Sequence, residues 1–245
     1  MFHFFASGGE VTDGFLNLTG QDVRHITRVL RLGPGARLVV SDNQDRNLLC
    51  EIAETGPDFV RVKIVSEELP SVEMDRRVFL FQGLPKSDKM DYIVTKCVEL
   101  GVTGIVPVEM ERCVVRLEEK KKQSRRERWQ KLAESAAKQS GRGIIPEVEE
   151  VLSFEAALRK AAGMERILVP YESAENMAYT REMLAGVPAG SDVAVFIGPE
   201  GGFDSREIEK LREAGAGIIT LGPRILRTET AGLALLAMAA LLWEK

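Results

Sequence analysis

Three apolar runs in the sequence end alike, at Leu168-Val169-Pro170, Ile197-Gly198-Pro199 and Leu221-Gly222-Pro223. Each reads as a strand passing into a tight turn. In open α/β sheets ligands bind beyond the carboxyl ends of the strands, so three such ends can build one pocket. The second is the richest. In Gly198-Pro199-Glu200-Gly201-Gly202-Phe203 the paired glycines permit close backbone approach and Pro199 stiffens the entry; Asp204 and Glu207 then have the spacing of a helix N-cap and its capping partner. The third run continues into Arg224-Ile225-Leu226-Arg227-Thr228-Glu229-Thr230, where two arginines and a glutamate stand between an apolar strand and an almost wholly apolar helix. Charges at such a junction are costly unless paired or functional. Arg227 and Glu229 can equally serve as plain ion-pair partners. The sequence has neither the glycine fingerprint of ordinary dinucleotide sites nor the glycine-lysine signature of P-loops, so those nucleotide readings lose support.

The elements that must hold these turns follow from periodicity. Segments 78–82, 105–108, 167–169, 193–197 and 218–221 read as strands. Between them fall a helix with Met90, Ile93, Val94, Cys97 and Leu100 on one face, a helix over 205–214, and a long helix over Thr228–Trp243. This alternation predicts an α/β domain with a mostly parallel sheet covered by helices. The last helix is apolar nearly all round, which suits a core or a subunit interface. Residues 1 to about 66 differ: strands over 36–40 and 59–65 and a helix between Gln21 and Leu32, ended by Gly33, predict a small β-barrel-like module with one helix. Residues 67–75, with Leu69-Pro70-Ser71, read as the linker, giving domains 1–70 and 73–245.

The chain has 245 residues, 44% hydrophobic and 29% charged, the balance of a globular protein. Its longest apolar stretch, 231–243, is 13 residues, short of the roughly 20 that span a bilayer. The start, Met1-Phe2-His3-Phe4-Phe5, has no basic n-region, so no signal peptide is expected. Three scattered cysteines (Cys50, Cys97, Cys113) suit a reducing compartment, and two histidines, His3 and His25, are too few for a zinc site. A cytoplasmic protein without a metal is expected. The net charge of −4 conceals a basic segment: residues 112–142 hold eleven Lys/Arg against four Glu, while the remainder holds 22 basic and 33 acidic residues. That concentration fits either a polyanion-binding surface or a solvated, charge-rich helix.

The two C-terminal motifs in this order resemble the bacterial 16S rRNA (uracil-N3)-methyltransferases of the SPOUT superfamily. The likeness extends to Gln82-Gly83-Leu84-Pro85-Lys86 with Lys89-Met90 and Lys96-Cys97-Val98-Glu99-Leu100-Gly101-Val102, to Glu134-Ser135-Ala136-Ala137-Lys138-Gln139-Ser140-Gly141-Arg142, and to His25 with Arg28-Val29-Leu30-Arg31-Leu32. The chain departs from the family's pattern at His3, where many relatives carry Arg, and at Lys138, where an acidic residue is common. The resemblance implies a SPOUT-type α/β domain whose C-terminal part forms a trefoil knot, a PUA-like N-terminal β-barrel domain, a homodimer with the final helix near its interface, and 16S rRNA of the small ribosomal subunit as substrate. It implies S-adenosyl-L-methionine in three knot loops, held by Val169, Pro170, Ile197, Gly198, Pro199, Gly201, Gly202, Leu221, Gly222, Ile225, Leu226 and Thr230. Arg227 or Arg224 would stabilise the uracil anion, with Glu229 as base or as orienter of Arg227. RNA contacts are expected from Arg28, Arg31 and Gln139, and from Lys86, Lys89, Lys96, Arg112, Arg128 and Arg142 tracking phosphates, since Lys89 and Lys96 share a helical face. Two alternatives stay open: within the same superfamily, a ribose 2′-O-methyltransferase acting on tRNA or rRNA, and, from another class, a non-catalytic RNA-binding or ribosome-assembly factor.

Overall fold

The computed structural model describes residues 1–6, 11–66, 69–172 and 176–244. The chain divides into two compact units, Met1–Glu73 with Ala137–Ile145, and Met74–Ala136 with Pro146–Lys245.

In the first unit, β1 (His3–Phe5), β2 (Phe15–Thr19), β3 (Arg37–Ser41), β4 (Asn47–Thr55) and β5 (Phe59–Ser66) form a sheet in the order β1-β3-β4-β5-β2. Only β1–β3 is parallel. β1 and β2 are its edges and among the described residues no pairing joins them, so the expected barrel-like module is a curled half-barrel. The period-two pattern read in β5 turns Val60 and Val62 inward; they join Phe4, Leu18, Ile26, Leu38, Val40 and Ile52 in one core. The expected helix is shorter than its pattern. Only α1 (Gln21–Arg24) is α-helical, and His25–Val29 widens into a π turn closed by Leu30 N–H on His25 O at 2.9 Å. Residues 137–145, which the expected boundary left in the second domain, pack with this unit. Lys138 Nζ lies 2.9 Å from Asp22 Oδ1, and Arg142 is paired with Glu73.

The second unit carries β6 (Arg77–Gly83), α2 (Lys89–Glu99), β7 (Gly104–Glu109), most of α3 (Glu119–Ser140), β8 (Glu147–Val148), β9 (Leu152–Ser153), α4 (Phe154–Ala161), β10 (Arg166–Pro170), α5 (Met177–Ala185), β11 (Asp192–Ile197), α6 (Ser205–Glu213), β12 (Gly217–Ile219) and α7 (Thr228–Trp243). The sheet runs β12-β10-β11-β6-β7-β8, with β9 also on β7, and every pairing is parallel. Its strands are apolar on both faces, as helices on both sides require; Phe81 and Phe196 stack 4.6 Å apart across β6 and β11. α7 buries Gly232, Leu235, Leu236, Ala239 and Trp243 but leaves Leu241 84% exposed. It packs on α2, β11 and α5. Among the described residues no helix is long and apolar enough to cross a membrane.

Candidate functional site

Because the strands are parallel, their carboxyl ends share one edge of the sheet. There the turns after β10, β11 and β12 enclose a cavity of about 890 Å³, inside the range of small-molecule pockets. Each turn is held by its own residues. After β11, Asp204 and Glu207 form the expected capping box of α6. Glu207 is buried, and its Oε1 also accepts the Glu111 N–H at 2.9 Å, tying this turn to the end of β7. After β12, Thr220 Oγ1 donates to Gly222 O and accepts its N–H, both at 3.2 Å; φ at Gly222 is +112°, which only glycine adopts freely. That turn ends β12 at Ile219, short of the expected 221.

Beneath the cavity, Gln82 is fully buried. Its Nε2 donates to Gly83 O at 3.0 Å and to Thr228 Oγ1 at 2.8 Å, and Thr228 Oγ1 donates to Gly198 O at 2.7 Å. Gly83 lets Pro199 approach: a Cβ at this position would lie 2.7 Å from the proline N and Cδ. At the rim, Lys89 Nζ lies 2.9 Å from Glu200 Oε1 and 3.3 Å from Glu229 Oε2. The Glu200 hydrogen bond raises the lysine pKa, with Glu229 adding to it against the opposing effect of burial. Burial pushes the Glu200 carboxyl up, but Lys89 and backbone N–H groups outweigh it and the net direction is down. Arg224 and Arg227 line the cavity, are exposed, and have no carboxylate partner among the described residues. Lys89 is therefore matched by two carboxylates, while among the described residues the cavity's Arg224 and Arg227 have none.

Ten of the expected cofactor residues line this cavity: Pro170, Ile197, Gly198, Pro199, Gly201, Gly202, Leu221, Gly222, Ile225 and Leu226. Two do not. Val169 is wholly buried inside the sheet, because its strand carries helices on both faces, and Thr230 is exposed in the first turn of α7, where Thr228 and Ala231 face the cavity instead. Glu229 stands beside the lining, held by Lys89. Tyr171, Asn176, Met177, Phe203 and Thr220 line the cavity without having been expected to. Phe203 follows the glycine pair and Tyr171 follows Pro170, so adjacency to the turns was a usable signal for both; nothing in the sequence pointed to Met177. The expected RNA residues divide. Arg28, Arg31 and Gln139 are exposed on the first unit, and Lys86, Arg112 and Arg128 on the second. Lys96 is half-buried and paired with Glu99 at 2.7 Å, and Arg128 pairs with Asp91. Arg142 is 4% exposed in its ion pair with Glu73, so it is unavailable to phosphates; Lys89 faces the cavity carboxylates and not an open helical face.

Residues 72–240 match the RNA methyltransferase domain family, and residues 18–65 match the RNA methyltransferase PUA domain family. The class that fold and site define is thus an RNA methyltransferase with an appended PUA domain. The chain is 34% identical over 220 residues to the ribosomal RNA small subunit methyltransferase E of Bacillus subtilis, covering 89% of this chain and 86% of the relative. It is 31% identical over 232 residues to that of Mycobacterium tuberculosis, covering 92% and 86%. Among solved structures, the ribosomal RNA small subunit methyltransferase E of Neisseria gonorrhoeae bound to S-adenosyl methionine is 31% identical, with a TM-score of 0.83 over 99% of this chain and 98% of that one. A methyltransferase of Legionella pneumophila in complex with the same cofactor is 28% identical, with a TM-score of 0.84 over 98% and 97%. The chain belongs to the family of ribosomal RNA small subunit methyltransferases E.

Proposed function

We propose that this protein uses S-adenosyl-L-methionine to methylate N3 of a uridine in 16S rRNA of the small ribosomal subunit. The observation that carries the reading is the cavity at the strand ends, lined by two arginines, Arg224 and Arg227, that have no carboxylate partner among the described residues. The lining fits the cofactor: Ile197, Phe203, Leu221 and Leu226 offer apolar contact for an adenine, and the glycine turns offer backbone groups to its polar edges. When bound, the cofactor supplies an electrophilic methyl group. What remains for the chain is to position the uracil, to take the N3 imide proton and to stabilise the resulting anion. Arg227 or Arg224 serves the anion through the uracil carbonyl oxygens. Glu229 accepts the proton or orients Arg227.

RNA phosphates are held by the exposed Arg28, Arg31 and Gln139 on the first unit and by Lys86, Arg112 and Arg128, with the half-buried Lys96, on the second. The exposed apolar residues of α7, Leu241 and Leu242, support a homodimer formed through that helix. The trefoil knot and a cytoplasmic location belong to the same reading. Titration calorimetry of the purified protein with S-adenosylmethionine, with NADH and ATP as controls, comes first, followed by methylation of small-subunit particles and nucleoside analysis of the product. Selective cofactor binding and 3-methyluridine are expected. No binding by the folded protein removes the cofactor assignment, and a 2′-O-methylated product removes the base assignment.

A further inference from the structure

The turn after β11 and the first turn of α7 lie about thirty residues apart in the chain, yet both face the cavity. Two separate bridges join them, and both originate in one segment, residues 82–89. The lower bridge is buried and neutral. It runs from Gln82 Nε2 through Thr228 Oγ1, at the start of α7, to Gly198 O, at the start of the turn. Among the described residues Gln82 Oε1 is buried without a hydrogen-bond partner. The upper bridge is charged. Glu200 Oε1, on the turn, accepts the Lys86 N–H at 3.1 Å and meets Lys89 Nζ, which also meets Glu229 on α7. Glu229 Oε2 is buried and has no hydrogen-bond partner among the described residues, and Lys89 Nζ, at 3.3 Å, is the cation that faces it. Gln82 and Lys86 are not among the residues that line the cavity, whereas Lys89 is.

We propose that residues 82–89 form a clasp that sets the spacing of the 198–202 turn against the start of α7, with Gln82 and Lys89 as positioning residues for the methyl-transfer site. This rests on the methyltransferase reading for its effect on turnover, though not for the coupling itself. Arg227 is the N-cap of α7, so movement of that helix start moves the proposed anion-stabilising group. A misplacement of about 1 Å at a reacting centre costs on the order of a hundredfold in rate.

The test is Lys89→Met beside Lys89→Arg, whose guanidinium can still meet both carboxylates, and Glu200→Gln as a second break on the turn side. Lys89→Met and Glu200→Gln are expected to lower kcat by roughly ten- to a hundredfold with the KM for small-subunit particles within about threefold, and Lys89→Arg is expected to restore most of the loss. An unchanged kcat with a raised KM assigns Lys89 to phosphate binding and overturns the clasp. So does a Lys89→Arg variant as impaired as Lys89→Met. Amide exchange without cofactor gives a readout independent of activity. Protection of Gly202 N–H, bonded to Pro199 O at 2.9 Å, and of Thr230 N–H, bonded to Arg227 O at 2.8 Å, should fall together in Lys89→Met. Unchanged protection at both refutes the clasp even if the wild-type protein methylates nothing, an outcome that would by itself sink only the functional reading.

Discussion

His3 is the residue whose burial makes the sharpest quantitative demand. It sits on β1 beside Phe5, with its Nε2 2.5 Å from Ser41 Oγ. Ser41 gives its single hydroxyl proton to Asn47 Oδ1, so the imidazole donates from Nε2, and it is burial rather than this bond that disfavours the charged ring. Burial lowers its pKa from 6.5 to about 4. A neutral histidine with a depressed folded pKa leaves stability intact above 6.5. As pH falls below that value the unfolded chain takes up the proton first, and stability drains until the folded state protonates near 4. The full effect is about 3 kcal/mol, and about 2 kcal/mol of it is gone at pH 5. His3→Gln keeps a neutral donor and removes the titration. Urea unfolding followed at the Ala6 and Val39 amides, which bond Ser41 O and Phe2 O at 2.8 Å, should show the wild type losing about 2 kcal/mol more than the variant between pH 7 and pH 5. Parallel pH dependences in the two proteins would refute the reasoning, because they would mean that His3 titrates alike folded and unfolded.

Arg227→Ala should lower turnover by roughly 10²–10³-fold while calorimetric cofactor affinity stays within about threefold; normal turnover removes Arg227 from the mechanism. Gly83→Ala places a Cβ 2.7 Å from the Pro199 backbone nitrogen, so thermal unfolding should report a loss of about 1–3 kcal/mol and calorimetry a weaker cofactor. A variant as stable as wild type would mean that this contact yields. Leu241→Glu, at a position 84% exposed, should convert a dimer to a monomer in sedimentation velocity without altering the circular dichroism. A wild type that sediments as a monomer ends the dimer reading.

Local pattern carried far where an element is long and its environment is asymmetric. α7 occupies Thr228–Trp243 as its apolar run indicated, and α2 buries Met90, Ile93, Val94 and Cys97 from the stripe read in the sequence. The capping box at Asp204 and Glu207 needed only a spacing of three. β8 and β9 are two residues each, too short to show a period. α4 and α5 went unread although Ser153 and Asn176 cap them, because each is a short helix with a brief apolar face. The π turn at His25–Val29 kept the periodic residues of a helix and changed only the backbone bond, which a side-chain pattern does not encode.

By itself the sequence determined the alternation of strands and helices, the three glycine- and proline-marked strand ends, and the presence of cations near the last of them. Hydrophobic spacing and turn chemistry are properties of neighbours along the chain, so they survive in one dimension. Only the tertiary structure decided which charges are free. Lys89 and Arg142 look like surface cations in the sequence, as Arg224 and Arg227 do. The fold brings Glu200 and Glu229 to Lys89 and buries Arg142 against Glu73, and it leaves Arg224 and Arg227 without a carboxylate among the described residues. Ion pairing falls off with distance in space, and the partners here meet only after strands far apart in the chain have been laid side by side.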